Sequence, residues 1–299
     1  MRRRGVLGLI TGLLVTAGLR PALAAEGEVD LSVFPFPVIK VRGADARPAW
    51  ERLRAEGKGW PVVLGGAETL ADVAEAMGYE ARSPADILAA AAGLRFPADL
   101  RALRDKEHKA ALESVRSRPP DEVAYRVIDT DEVAAGADLE TAGRPVTNAE
   151  MLEEMEREPV GPELGDWPPV IEPYDGLRGM DTDRDGEPRD LFIALLPTTV
   201  SAEAMAHLWF GGWNACPPAE HQVAVLRSLH ERYGAELVVC TNDVVELRVQ
   251  RRPASREEAI ALAGELYLYC NDAIDQGHGT VSAFAADLMA SDWWYFWWD

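Results

Sequence analysis

Cys216 stands immediately before Pro217 and a run that reads as a helix, a position where the helix dipole lowers a thiol pKa and favours a nucleophilic thiolate. His207 or His221 would serve as its base, with Asp243 or Asp275 to orient that base. No spacing here matches a thiol-protease signature, and the competing reading is a buried, inert thiol. A second hydrolytic arrangement uses carboxylates alone, Asp243 and Glu246 as an acid pair with Asp275 nearby. Against it, Glu246 and Arg248 share one face of a strand and read equally as a solvated ion pair.

Asp181, Asp183 and Asp185 alternate before Gly186, the spacing with which a calcium loop folds oxygens round one ion. The twelfth position of such a loop should be a bidentate Glu and is Phe192, so Asp190 at the tenth would have to substitute. A weak Ca2+ site and an acidic surface turn both fit, and no other cofactor is indicated. His221 and His230 differ by about 900° round a helix, half a turn apart, and cannot share one metal. His278, between two glycines, could ligate with Asp275 or simply hydrogen-bond its loop. Cys216, Cys240 and Cys270 have no paired short spacing, which argues against structural zinc and against a disulfide framework.

The least ordinary feature is the run Trp293-Trp294-Tyr295-Phe296-Trp297-Trp298-Asp299. Four tryptophans in so short a stretch would form a large apolar patch if all were exposed. Either Trp294, Phe296 and Trp298 or Trp293, Tyr295 and Trp297 pack inward as a final strand, and the other set covers a helix, lines a groove or meets a partner. A ligand or partner surface is therefore expected around Trp213, Asn214, Gln276, Trp294 and Trp297.

The elements that must position these residues read as α/β, a mixed sheet flanked by helices. Strands are expected at 33–41, 60–64 and 123–128, with helices over 48–56, from Leu70, from Ser83 and over 97–117. Residues 121–190 hold 21 acids and 6 arginines, with prolines clustered near the middle, and one helix over 148–157. The apolar run 191–196 reads as a buried strand, followed by helices from Ser201, Pro217, Ser255 and Val281 and a hairpin of 237–240 with 244–249. Asp275 to Gly279 reads as a loop. The expected organisation is a leader over 1–24, an N-terminal α/β lobe over 25–158, an acidic proline-rich connector over 159–190 and a C-terminal domain over 191–299. The two lobes would each be β-α-β-like.

The leader reads as a cleavable signal peptide, with Arg2, Arg3 and Arg4 before an uncharged apolar stretch from Gly5 to Leu19 and small residues to Ala25. Fifteen helical residues span about 22 Å, short of the roughly 30 Å of a bilayer core. Arg3-Arg4 and Arg20 resemble a twin-arginine signal, which exports folded proteins. Periplasmic or secreted location follows, with no membrane association after cleavage. The chain carries 30 basic and 50 acidic residues, a net charge of −20, which loss of four leader arginines takes to −24. Such a surface disfavours nucleic acid and favours a protein or cationic ligand.

Five separated runs carry a family resemblance: Phe210 to Pro217, His230 to Glu236, Asp243 to Leu247, Tyr269 to Gly277, and Trp294 to Asp299. From about Leu191 to Asp299 the chain resembles the bacterial domain-of-unknown-function family 4253. The resemblance implies a fold and no activity, cofactor or catalytic residue. With no nucleophile, metal or nucleotide motif standing out, the expected function is a non-catalytic binding or interaction module, with a hydrolase built on Cys216 or on Asp243, Glu246 and Asp275 as the alternative.

Overall fold

The computed structural model of the chain describes residues 30–77, 82–127, 143–157, 161–177, 180, 182 and 188–299. The leader and Asp181, Asp183 and Asp185 lie outside the described residues. The chain divides into two compact units, the larger comprising residues up to Leu100 and Pro162–Asp299, the smaller Arg101–Gly161.

The larger unit is built on one six-stranded mixed sheet. Its strands are β1 (Val38–Arg42), β2 (Trp60–Gly65), β5 (Asp190–Leu196), β6 (Glu236–Cys240), β7 (Val244–Arg248) and β8 (Trp293–Trp297), in the order β1-β5-β2-β6-β7-β8. Only β2 and β6 run parallel. β3 (Val123–Val127) and β4 (Arg144–Thr147) form an antiparallel pair in the smaller unit, where Val115, together with Met151 and Met155 of α5 (Asn148–Glu156), forms a small core with Val146.

Of the strands expected in the N-terminal lobe, β1 and β2 thus lie in one sheet with β5 to β8, and β3 lies apart from it. β5 follows the connector in sequence but pairs antiparallel with β1 on one side and β2 on the other. The physical reason is its composition. Leu191, Phe192, Ile193 and Ala194 are all buried, an apolar run that needs cover on both faces and partners on both edges. The edge strand is instead β1, where prolines at 35 and 37 precede a half-exposed Val38 and an exposed Lys40.

Helices α1 (Ala46–Glu56), α2 (Ala67–Met77), α3 (Pro84–Ala91) and α4 (Ala98–Arg116) follow the first strands. α3 begins with the capping box its sequence announces: Ser83 accepts from the Asp86 N–H and Asp86 accepts from the Ser83 N–H. After β5 come the short α6 (Ala204–Leu208), then α7 (Ala219–Tyr233), α8 (Arg256–Tyr269) and α9 (Val281–Ala290). Gly234 ends α7 in the left-handed conformation. No described helix is long and apolar enough to cross a membrane.

β8 decides between the two aromatic sets. Trp294, Phe296 and Trp298 are at most 1% exposed and pack with Tyr233, Tyr269, Phe284 and Phe210 edge to face, at centroid distances of 5.1–6.4 Å. Trp294 therefore belongs to the core rather than to the expected partner surface, its indole N–H donating to Leu288 O. Truncating a buried tryptophan removes both transfer energy and packing, so Trp294→Ala is expected to cost about 3–5 kcal/mol, read from denaturant unfolding curves at constant m-value.

Candidate functional site

Because β2 and β6 are parallel, both leave the sheet at the same end and their continuations diverge there. β2 turns through Gly65 and Gly66 into α2, while β6 passes into the Thr241-Asn242 turn that leads to β7. A crevice at the carboxyl ends of diverging strands is where open α/β sheets hold ligands. Here a cleft of about 490 Å³ opens, lined by Val73 and Ala76 of α2, by Cys240, Thr241 and Asn242, and by the loop Trp209 to Trp213.

That loop is shaped by backbone strain and by contacts that tolerate no side chain. Trp209 (φ 51°) and Asn214 (φ 44°) both lie in the left-handed region, disfavoured for residues with a Cβ. At Gly211 (φ 107°) a Cβ would stand 2.0 Å from Pro217 O. The turn closes through Cys216 N–H to Trp213 O at 2.8 Å and Gly212 N–H to Cys216 O at 3.1 Å. Trp209 and Trp213 end half-exposed on the cleft wall. The Trp209 indole donates to Arg82 O at 2.7 Å, and Arg82 pairs with Glu220 at 3.0 Å. Trp213 packs edge-on to Phe210, which packs on Trp298.

The rim is acidic. Burial, then Glu75, Asp243 and Glu68, raise the Asp72 carboxyl above its ordinary range, which places these carboxylates within each other's field. Asp243 is held by the Thr241 hydroxyl at 3.0 Å. Beyond Trp213 the chain's last residues are fixed by neighbouring loops. Asn214 Nδ2 donates to Asp299 O at 2.8 Å, Asp299 N–H to Asp272 Oδ2 at 3.2 Å, and Trp298 N–H to Asp243 O at 3.1 Å. Gln276 Nε2 donates to Asp272 Oδ1 at 2.9 Å. Residues 273–278, which take in most of the loop expected at Asp275 to Gly279, form a π-helical turn, a rare conformation that recurs at functional sites. Residues from four separated runs, around Trp213, Asp243, Asp272 and Trp298, thus meet at one end of the sheet.

Residues 192–299 match the family model described as Domain of unknown function (DUF4253). The four converging runs all fall within this DUF4253 region. No curated protein and no solved structure matches the chain.

The candidate nucleophile is buried. Cys216 is 2% exposed and receives the Gln222 Nε2 hydrogen bond at 3.2 Å. Cys240 and Cys270 are likewise buried, no disulfide joins the three, and burial pushes the Cys240 thiol up. His221 lies in the first turn of α7, its N–H bonded to Pro218 O. Burial lowers the His207 pKa, and Asp275 is occupied by Tyr267 and Asn271, with its own pKa raised by burial. Among the described residues no group of three or more His, Cys, Asp or Glu stands where it could hold a metal ion.

Glu246, expected on a solvated strand face, is instead 1% exposed. The connector covers it: the Tyr174 hydroxyl donates to Oε1 at 2.6 Å and the Leu177 N–H to Oε2 at 2.9 Å. Burial raises its pKa, more than these two bonds and Arg47 lower it, while Asp175 adds to the rise. His278 Nδ1–H donates to Ala273 O at 2.8 Å and Nε2 faces Asp287 at 3.5 Å, which ties the ring to its own turn and to α9.

Sequence reading passed over Trp209, Tyr174, Asp272 and Gln222. Only Gln222 carried a clear signal: it shares a helical stripe with Leu226, Leu229 and Tyr233, where a polar residue is out of place.

Two outcomes follow from burial. Cys216 should stay unmodified by a thiol reagent in the native protein and react once the chain is unfolded, as counted by mass spectrometry of the labelled peptides. For Glu246 the folded pKa lies above the unfolded one, so its contribution is fully present below about pH 4.5 and is lost as pH rises through the folded pKa. The stability difference between wild type and Glu246→Gln should accordingly shift against the wild type as pH rises from 4.5, read from denaturation midpoints across a pH series.

Proposed function

We propose that the DUF4253 region is a non-catalytic binding module of an exported protein, and that its cleft takes a cationic group, free or carried by a protein ligand. The observation that carries the reading is the pair of half-exposed tryptophans, Trp209 and Trp213, held over the carboxyl ends of β2 and β6 by a strained loop. Aromatic faces attract cations, and desolvation in a cleft strengthens the attraction. Asp72, Glu75 and Asp243, next in sequence to lining residues, and the chain's net charge of −20 favour the same sign of ligand, and the one lining cation, Arg82, is paired with Glu220. A hydrolase on Cys216 or on Asp243, Glu246 and Asp275 has no comparable support, because those groups are buried or engaged with neighbours.

The test is titration of the full chain with tetramethylammonium, N-acetyl-lysine amide and N-acetyl-arginine amide, following tryptophan fluorescence. Saturable binding is expected for at least one cation, weakened about tenfold in Trp213→Ala, whose fold circular dichroism should show intact. No saturable change with any of the three, or affinity untouched by Trp213→Ala, removes the reading.

A further inference from the structure

Residues 161–177 run without helix or strand across the larger unit, outside the DUF4253 match, and their contacts resemble those of a bound peptide more than those of a loop. Main-chain carbonyls at both Glu163 and Leu164 accept from the first N–H groups of α9, Val281 at 2.9 Å and Ser282 at 2.8 Å. Trp167 lies under the Arg256 guanidinium, 4.6 Å from its ring centroid. Tyr174 packs edge-on to Tyr295 with centroids 5.8 Å apart and donates its hydroxyl to Glu246. Gly176 lies against the Trp293 ring so closely that a Cβ would stand 2.1 Å from it. Arg47 bonds to Asp175 O and Gly176 O and stacks on Trp293 at 4.9 Å.

The receiving face is formed by one side of the β7–β8 pair, under residues 174–177, and by the starts of α8 and α9, under residues 163–167. Trp293 pairs with Arg248 and Tyr295 with Glu246 in the ladder, so these side chains share the side opposite Trp294 and Phe296. It offers two aromatic rings with Arg47 and Arg248 over Trp293, one buried carboxylate, and Arg256 at the start of α8. The segment it holds has four acids, Glu163, Asp166, Glu172 and Asp175, no basic residue, and prolines at 162, 168, 169 and 173. Aromatic grooves take proline-rich segments because these are extended before binding and lose little entropy. Charge and shape match on both counts.

We propose that this face is a peptide-docking groove for an extended, acidic, proline-rich segment with a tyrosine reaching Glu246, and that residues 161–177 occupy it in cis. The groove is separate from the cleft walled by Trp209 and Trp213 and does not rest on the reading given to that cleft. A partner segment of the same chemistry binds in trans by displacing the strap.

The probe is a fluorescein-labelled peptide of residues 161–177, titrated with the full chain and read by anisotropy. The Trp167→Ala/Tyr174→Ala chain, its own strap weakened, is expected to bind the peptide saturably and at least about tenfold more tightly than the wild type, whose strap competes intramolecularly. Replacing tyrosine by phenylalanine in the peptide should weaken binding about tenfold, through loss of the hydrogen bond to a carboxylate. A folded double variant that leaves anisotropy unchanged to about millimolar protein, or that binds both peptides equally, overturns the proposal. If circular dichroism shows the double variant unfolded, Trp167→Ala alone decides: tighter binding than wild type supports the groove and equal binding overturns it.

Discussion

One fully buried amide joins the parts on which the cleft depends. Gln222 has no exposed surface; its Oε1 accepts from Tyr269 OH at 2.6 Å, and its Nε2 donates to Cys216 Sγ and Pro217 O, each at 3.2 Å. An amide removed from water costs several kcal/mol unless its hydrogen bonds are replaced, so these partners are obligatory rather than incidental. Through them α7 is tied to α8 and both to the turn that carries Trp213. Tyr269 in turn stacks on Phe296 and Trp298, which binds the aromatic strand to the same point. Burial raises the Tyr269 pKa well above its ordinary value, so it stays a neutral donor and the network keeps one polarity.

Around that anchor the structure separates rigid from applied parts. The apolar strands β2, β5 and β6 form the centre of the sheet, and the cleft loop is pressed onto their end with Trp209, Gly211 and Asn214 in conformations that cost energy to hold. Packing of Phe210 between Trp213 and Trp298 offsets that cost. On the side of β7 and β8 the described residues 161–177 of the connector form no helix or strand, yet they supply a tyrosine, an amide N–H and a glycine at the places where the sheet presents a carboxylate and an indole.

The sequence made much of this legible and some of it not. Local signals held where they are local: the Ser83 and Ser255 caps, the 191–196 apolar run, the Thr241-Asn242 hairpin turn and the division of the aromatic run into two alternating sets can be read from spacing, but not which set faces inward. What spacing does not carry is which strand lies beside which. β5 between β1 and β2 joins residues about 150 positions apart, and no periodicity records that. Glu246 misled for a related reason. Alternation along β7 correctly put it opposite Val245 and Leu247, but its cover comes from Tyr174, a contact between distant segments. The π-helical turn at 273–278 reads as a loop because its Asp, Gln and Gly composition is that of one.

The position of β5 also separates a boundary of descent from a boundary of folding. The DUF4253 match opens at residue 192, inside a strand whose two ladder partners, β1 and β2, both lie before it. Excised at that border, the matched stretch would keep the β6-β7-β8 meander but would leave an apolar strand with nothing to pair with and would bare the edge of β6 that β2 covers. The matched stretch is therefore smaller than the sheet it belongs to, and β1 and β2 complete that sheet.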